Sequence, residues 1–343
     1  MSMKNSIQNI IVRMPNWVGD LVMATPVLTD LKRAYPHASI TAMCRSPISD
    51  LLCEDEAIDE LFSFHKVTPL GLKEEKKDMI AKIQAGKFDV GILLTNSFSS
   101  AWWFWQGKVH RRIGYSHFPR SLLLTDPVAE PPQKQHQVDS YKALLEPLGI
   151  SRSSTMPRLY VQDKEIREAK ELLRWHGYRV GKKLIGMNPG AAYGVAKCWP
   201  AERYRALAVE LLKDDVWIVV FGDAASKALI QSICGDLGER VINLAGATSI
   251  RELVCLIQEC DVLVTNDSGP MHIAAAMETP LVALFGSTDK QVTGPYGQEK
   301  SVVCRKVACS PCLKRVCPID FRCMTQISVE EVSEKVRQIC YGR

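Results

Sequence analysis

Residues 262–277 hold the densest chemistry in the chain. The apolar run Val262-Leu263-Val264 stops at Thr265-Asn266-Asp267, a tight Ser268-Gly269-Pro270 turn follows, and an Ala-rich helix begins around Met271-His272. A strand-to-helix junction of this kind presents backbone N–H groups and the positive end of the helix dipole at the carboxyl edge of a parallel sheet, where an anion is stabilised. Beside that anion Asp267 can take sugar or ribose hydroxyls, and His272 can reach a phosphate oxygen. Ser268 and Pro270 also fit an ordinary helix start, with a serine cap and proline at the first helical position.

Three other junctions carry chemistry. In residues 188–200, Asn188, Pro189, Gly190 and Gly194 keep the backbone open, and Lys197 stands just before Trp199-Pro200. A lysine there can neutralise a pyrophosphate as a point charge, or it is a solvated loop lysine. The loop lacks the Gly-Lys-Ser/Thr ending of a Walker motif, and no Gly-x-Gly-x-x-Gly occurs, which argues against a nicotinamide cofactor. At Phe221-Gly222-Asp223, the carboxylate either approaches a nucleoside or sugar hydroxyl or caps a helix. In residues 14–20, Pro15 and Gly19 force a loop that places Asp20 at the mouth of a helix. Asp20 is then either a helix cap or a general base that takes a proton from an acceptor hydroxyl.

These junctions need a scaffold of alternating strands and helices. Strands are expected over 9–14, 39–44, 88–94 and 112–115, with helices over 21–34, 73–85, 141–148 and 164–176. Pro127, Pro131 and Pro132 break the pattern over 127–135. After a Gly-rich hinge at 177–183, strands are expected over 184–187, 216–221, 241–243, 261–265 and 281–285. Helices are expected over 201–212, 224–234, 250–258 and 329–339. Such alternation predicts α/β domains with parallel sheets covered on both faces, and ligands at the carboxyl ends of the strands.

The bulk properties agree. A chain of 343 residues exceeds one ordinary core, and 46% hydrophobic with 24% charged residues describes a globular protein. The net charge of +5 comes without a basic block or an aromatic nucleic-acid motif. That excludes nucleic acid and suits anionic small ligands or an anionic membrane face. The polar stretch 1–9 and the short apolar run 10–12 predict no signal peptide, and no apolar stretch is long enough to span a membrane. Twelve cysteines without a signal peptide fit thiols in a reducing cytosol.

Taken in order, several pieces form a recognisable series: Asn16-Trp17-Val18-Gly19-Asp20, Thr95-Asn96-Ser97-Phe98, Arg112-Ile113-Gly114-Tyr115, Asn188-Pro189-Gly190, Lys197-x-Trp199-Pro200, Phe221-Gly222, Asn243-Leu244-Ala245-Gly246 and 265–272. The series resembles the ADP-heptose:lipopolysaccharide heptosyltransferases of glycosyltransferase family 9, with the heptosyltransferase II group nearest, over about residues 9 to 325. The resemblance implies a GT-B fold: two Rossmann-like doubly wound domains facing a cleft. An acceptor domain would occupy 1–176 and a donor domain 177–325, and a helix over 326–343 would cross back toward the first domain. It places the base on Asp20 and the donor phosphate or sugar on Lys197. Further substrate contacts fall on Gly19, Asn188, Gly190, Asp223, Asn266, Asp267, Ser268, Gly269 and His272. Ala191, Ala192 and Tyr193 stand where some relatives carry hydroxyl residues.

The activity implied by the resemblance is an inverting transfer of heptose from ADP-heptose to the first heptose of the lipopolysaccharide inner core on Kdo2-lipid A. The departing diphosphate would be stabilised by a helix terminus and a lysine, with no metal required. The expected protein is a cytoplasmic monomer on the inner face of the inner membrane. The alternatives are the transferase that adds the first heptose, another core or O-antigen transferase, and a regulatory protein that binds nucleotide sugars. Cys309, Cys312, Cys317 and Cys323 either hold a structural zinc or are plain thiols in a compact loop. Trp102, Trp103, Phe104 and Trp105 beside Lys108, His110, Arg111 and Arg112 suit a lipid interface, or they are mostly core of a helix against the first sheet.

Overall fold

The computed structural model describes residues 7–65 and 73–342. Residues 1–6 of the polar opening stretch lie outside the described residues. The chain divides between Tyr160 and Val161. The first unit runs β1 (Asn9–Arg13), α1 (Val18–Ala34), β2 (Ser39–Arg45), β3 (Glu60–Phe64), α2 (Lys73–Ala85), β4 (Val90–Leu93), α3 (Phe98–Gln106), β5 (Arg111–Tyr115), β6 (Asp126–Val128) and α4 (Gln137–Ala143). The second runs α5 (Asp163–Trp175), β7 (Lys183–Asn188), α6 (Ala201–Leu211), β8 (Val216–Val220), α7 (Lys227–Cys234), β9 (Val241–Asn243), α8 (Ile250–Gln258), β10 (Val262–Asn266), α9 (Gly269–Ala276), β11 (Leu281–Phe285), α10 (Lys290–Thr293), β12 (Val302–Cys304), α11 (Arg322–Thr325) and α12 (Val329–Tyr341).

Each unit is a six-stranded sheet, ordered β3-β2-β1-β4-β5-β6 in the first and β12-β11-β10-β7-β8-β9 in the second. All the pairings are parallel. Renumbered from its own first strand, the second sheet has the order of the first, so both are doubly wound and Rossmann-like. The strand order reverses between β1 and β4 in one unit and between β7 and β10 in the other. Loops leaving these strands diverge to opposite faces and open a crevice at the carboxyl edge.

The central strands β8, β10 and β11 are buried along their whole length, as parallel strands covered on both faces must be. The edge strands β3, β6 and β12 were not expected. They are short or half-exposed, and β6 contains Pro127, which a ladder tolerates only at an edge. The helix expected over 141–148 begins earlier, at Gln137, where the His136 side chain accepts from the Val138 N–H at 3.2 Å. It gives way to a 3-10 turn over Glu146–Leu148, because Pro147 has no N–H to continue the ladder.

The observed division falls ahead of the expected boundary after His176, for reasons visible on both sides. Upstream, residues 153–158 are stapled to α1. Asp30 accepts from the Ser153 and Thr155 hydroxyls at 2.6 Å each, and Thr25 Oγ1 accepts the Arg158 N–H at 3.1 Å. Downstream, α5 packs on α8, and Arg251 of α8 grips both carboxylate oxygens of Glu165, with Nε at 2.8 Å from Oε1. The helix expected over 326–343 is α12, and it packs on α6 of the second unit. Val332 and Val336 enter the core there, and Arg337 pairs with Glu210 and Asp214. Among the described residues no helix is long and apolar enough to cross a membrane.

The Glu165–Arg251 pair yields a test of that boundary. The Arg251 hydrogen bond holds the Glu165 carboxyl below the usual glutamate value. Its stabilisation is therefore present above the ordinary pKa of about 4.3 and lost as pH falls through the lower folded value. Urea unfolding of the second unit at about pH 5 and about pH 3 should show an acid loss in wild type that Arg251→Ala largely lacks. An equal acid loss in both proteins would remove this pair from the bolts that hold α5.

Candidate active site

At the switch point of the first sheet, β1 ends in Arg13 and the chain passes through Met14-Pro15-Asn16 into α1. Trp17 occupies the N-cap without a side-chain bond, so Asp20 is not the cap of this helix. It lies in the first turn, next to Gly19. The loop is held from beneath by Arg13, which is buried. One of its Nη atoms donates to the Met14 carbonyl and the other to Asn16 Oδ1 at 2.6 Å. Its guanidinium lies over the Phe64 ring at 4.7 Å, and burial pushes its pKa down to about 10. Across the switch point, Arg120 does the same for the loop after β4. It is buried, bonds the Tyr115 carbonyl, and reaches the Thr95 carbonyl at 3.0 Å. A methyl group on Gly114 would stand 2.5 Å from its Nη2, so only glycine leaves room for that side chain. Neither arginine was singled out from the sequence, because each is isolated and their shared role is three-dimensional.

The basic-aromatic stretch divides. Ala101 and Phe104 are core, and Trp103 packs edge-on to Phe64 at 5.8 Å. Phe98, Trp102 and Trp105 instead form an exposed ladder along α3, with ring centroids 6.3 and 5.0 Å apart. Arg111 pairs with Asp126, and Arg112 is spent on the Leu123 and Val109 carbonyls, so those two cations serve the fold.

In the second unit the switch point gathers most of the expected site residues. Lys197 Nζ lies 2.6 Å from Asp267 Oδ2, with the two side chains only 12% and 4% exposed. Thr288 Oγ1 donates to the same oxygen at 2.6 Å. Lys197 also stands 4.9 Å above the Tyr193 ring. Burial at this depth is costly for an ion pair, so each charge depends on its partner and on these flanking groups. Ser268 is the N-cap residue of α9, but its side chain does not cap the helix. Its hydroxyl instead meets Asn188 Nδ2 and Thr265 Oγ1, both at 3.1 Å. Pro270 has no N–H, and the Met271 N–H goes to the Ser268 carbonyl at 3.1 Å, so first-turn donation to an anion falls to Gly269. His272 is buried within α9.

Two of the expected substrate contacts also hold the frame of the loop. Asn266 is fully buried. Its Oδ1 accepts from the Trp199 N–H at 3.0 Å and the Tyr204 hydroxyl at 3.1 Å, and its Nδ2 donates to the Pro189 carbonyl at 2.7 Å. Asn188 is also buried, and its amide reaches the Gly190 carbonyl at 3.1 Å as well as Ser268. Asp223 caps the turn over Ala224–Ser226, accepting the Ser226 N–H at 2.9 Å, and stays exposed at the end of β8. Gly190 is half-buried close by, and a Cβ there would stand 3.4 Å from Ser226 Oγ.

The cysteine-rich segment forms a wall against the Lys197 loop. Tyr193 donates its hydroxyl to the Leu313 carbonyl at 2.8 Å, and the Ala196 N–H reaches the Arg315 carbonyl at 3.0 Å. At Gly194, φ is +155° and a Cβ would lie 2.4 Å from the Arg315 oxygen, so glycine is required by that approach. Cys309, Cys312, Cys317 and Cys323 line one cavity together with Ala196 and Ser287. Among the described residues, however, no three His, Cys, Asp or Glu side chains gather closely enough to hold a metal ion. The four thiols share the wall of one compact loop.

Because Asn266 serves three buried partners, Asn266→Ala should cost the second unit on the order of 3 kcal/mol through the groups it orphans. Urea unfolding followed by tryptophan fluorescence measures this. A loss below about 0.5 kcal/mol would mean that water or a shifted loop replaces the amide.

Known proteins share this arrangement. Residues 77–321 match the model of glycosyltransferase family 9 (heptosyltransferase). Lipooligosaccharide heptosyltransferase 2 of Haemophilus influenzae is 32% identical over 308 residues, covering 86% of this chain and 88% of the relative. The structure of E. coli ADP-heptose lps heptosyltransferase II superposes with a TM-score of 0.84 at 25% identity, covering 98% of this chain and 99% of the other. The glycosyl transferase family 9 crystal structure from Veillonella parvula gives 0.87 at 25% identity, covering 98% of each. The chain belongs to glycosyltransferase family 9, the heptosyltransferases.

Proposed function

We propose that this enzyme transfers heptose from ADP-heptose to the first heptose of the lipopolysaccharide inner core, as a heptosyltransferase II. The observation that carries the reading is the buried Lys197–Asp267 pair at the switch point of the second sheet, beside the N-terminus of α9. A diphosphate is drawn there by the helix dipole, the Gly269 N–H and the lysine. On donor binding the ammonium turns from Asp267 to phosphate oxygens, and the released carboxylate takes hydroxyls of the sugar. Asp223 and the Gly190 turn, at the neighbouring strand ends, receive the rest of the nucleotide.

The chemistry is one displacement. The acceptor hydroxyl oxygen attacks the anomeric carbon as its bond to the diphosphate oxygen breaks, and the configuration inverts. The proton of that hydroxyl goes to the Asp20 carboxylate. Negative charge growing on the leaving ADP is met by Lys197 and by α9, so no metal is needed for it. The acceptor is a lipid-linked saccharide, which places the working monomer on the cytoplasmic face of the inner membrane. Mass analysis of products made from ADP-heptose with defined Kdo2-lipid A acceptors, with and without the first heptose, tests the assignment. Transfer only to the acceptor lacking heptose would make the chain the preceding transferase.

Calorimetry tests the donor site. Lys197→Ala should weaken ADP binding about tenfold or more, because it removes the cation and leaves Asp267 uncompensated beside the diphosphate. Unchanged ADP affinity would take Lys197 out of the site.

Single-turnover kinetics test the base. Asp20→Asn should slow the chemical step by about a hundredfold or more with little change in ADP affinity. Stability should hardly move on account of capping, since Trp17 holds the N-cap position. A near-normal rate would mean that another group takes the proton.

A further inference from the structure

Asp267 has a second partner that the transfer scheme does not use. Thr288 Oγ1 donates to Asp267 Oδ2 at 2.6 Å, and Lys197 Nζ approaches the same oxygen at 2.6 Å from a different loop. The Asp267 side chain is only 4% exposed, so water does little to solvate its charge. Thr288 lies just beyond β11, which pairs with β10 in the sheet. Its neighbours in the chain are fixed on both sides. A Cβ on Gly286 would stand 2.4 Å from Met324 Sδ, and the Gly286 carbonyl accepts the Ser310 hydroxyl. The Ser287 carbonyl accepts the Leu313 N–H at 2.8 Å. On the far side Asp289 caps α10, its carboxylate accepting the Gln291 N–H at 3.0 Å. The Thr288 hydroxyl is therefore carried on a braced turn, whereas the lysine ammonium sits at the end of a flexible four-carbon stem.

We infer that Thr288 is a positioning residue of the donor site: its hydroxyl holds the Asp267 carboxylate in place while Lys197 leaves it for the diphosphate. This rests on the reading of Lys197 and Asp267 as donor-binding groups. In the resting protein Oδ2 has both partners. Once the ammonium turns to phosphate, a buried carboxylate oxygen would be stranded, and an unsatisfied buried acceptor carries its full desolvation penalty. A neutral hydroxyl can serve Oδ2 in both states, because it has one proton to give and no charge that the diphosphate would draw away. By keeping Oδ2 inward it also selects Oδ1 as the oxygen that meets a sugar hydroxyl. The contribution of Thr288 is thus small in the resting protein and large in the donor complex.

The test is Thr288→Val, which keeps the branched shape and removes the donor. Calorimetry should show ADP binding weakened about tenfold, and Thr288→Ser should restore wild-type affinity. Urea unfolding without nucleotide supplies a readout that a merely structural threonine would not give. Thr288→Val should scarcely move the midpoint in the wild-type background and should lower it clearly in the Lys197→Ala background, where Asp267 then has neither partner. Wild-type ADP affinity in Thr288→Val, with Lys197→Ala weakened, would overturn the proposal and leave the donor site standing. Equal losses of affinity in the Val and Ser variants, or equal midpoint drops in the two backgrounds, would overturn it as well. Unchanged ADP affinity in Lys197→Ala would instead overturn the underlying reading. Should Thr288→Val fail to fold, Thr288→Ala removes the same donor with less bulk, and wild-type ADP affinity in that variant would again overturn the proposal.

Discussion

The Asn266 side chain is the point on which the switch-point geometry of the second unit depends. One amide at the end of β10 holds the Trp199 N–H, the Tyr204 hydroxyl and the Pro189 carbonyl, all out of water. These groups belong to both ends of the open loop that carries Lys197. An amide that both donates and accepts can close such a loop, whereas an aspartate could offer no donor and would bury a charge. With both loop ends fixed, Lys197 is delivered to Asp267, the residue after Asn266 in the chain. Neighbouring positions thus divide the work: one faces inward and builds the frame, and the other meets the lysine.

The first sheet solves the same problem with cations. Arg13 and Arg120 lie under the loops that leave β1 and β4, and each bonds backbone carbonyls that lie beyond the sheet ladder. Burial weakens their hold on the proton, but both keep their charge at neutral pH. The two buried guanidiniums also bring positive charge to the carboxyl end of the first sheet. On the outer face of α3 the exposed ladder of Phe98, Trp102 and Trp105 is apolar, while Arg111 and Arg112 are spent on internal contacts.

The departure at Ala191, Ala192 and Tyr193 is resolved by the segment after β12. Tyr193 uses its hydroxyl on the Leu313 carbonyl, and both Lys197 and Arg315 lie within cation–π range of its ring. The Tyr193 ring is an aromatic surface that steadies the lysine. The cysteine-rich segment is then a structural wall of the Lys197 loop, and changes in its thiols would be felt there through Leu313 and Arg315.

How much of this was legible depends on the range of each interaction. Strands buried on both faces announce themselves as apolar runs, so β7, β8, β10 and β11 were read within a residue or two. Edge strands β3, β6 and β12 bury little and carry no such signal. The ordered motifs marked Asp20, Lys197 and Asp267, because family resemblance and local turn chemistry are properties of neighbouring residues. Local sequence also left Asp20 and Asp223 open between capping and chemistry. Only the tertiary structure shows that Trp17 takes the N-cap and releases Asp20 from capping, that Asp223 caps a turn while staying exposed, and that Asp267 meets a lysine. It likewise turned Asn266 and Asn188 inward and drew α5 into the second unit through Arg251. Each of these depends on partners that are distant in the chain and brought together by packing. Periodicity and spacing carry no record of which distant side chains will share a buried volume.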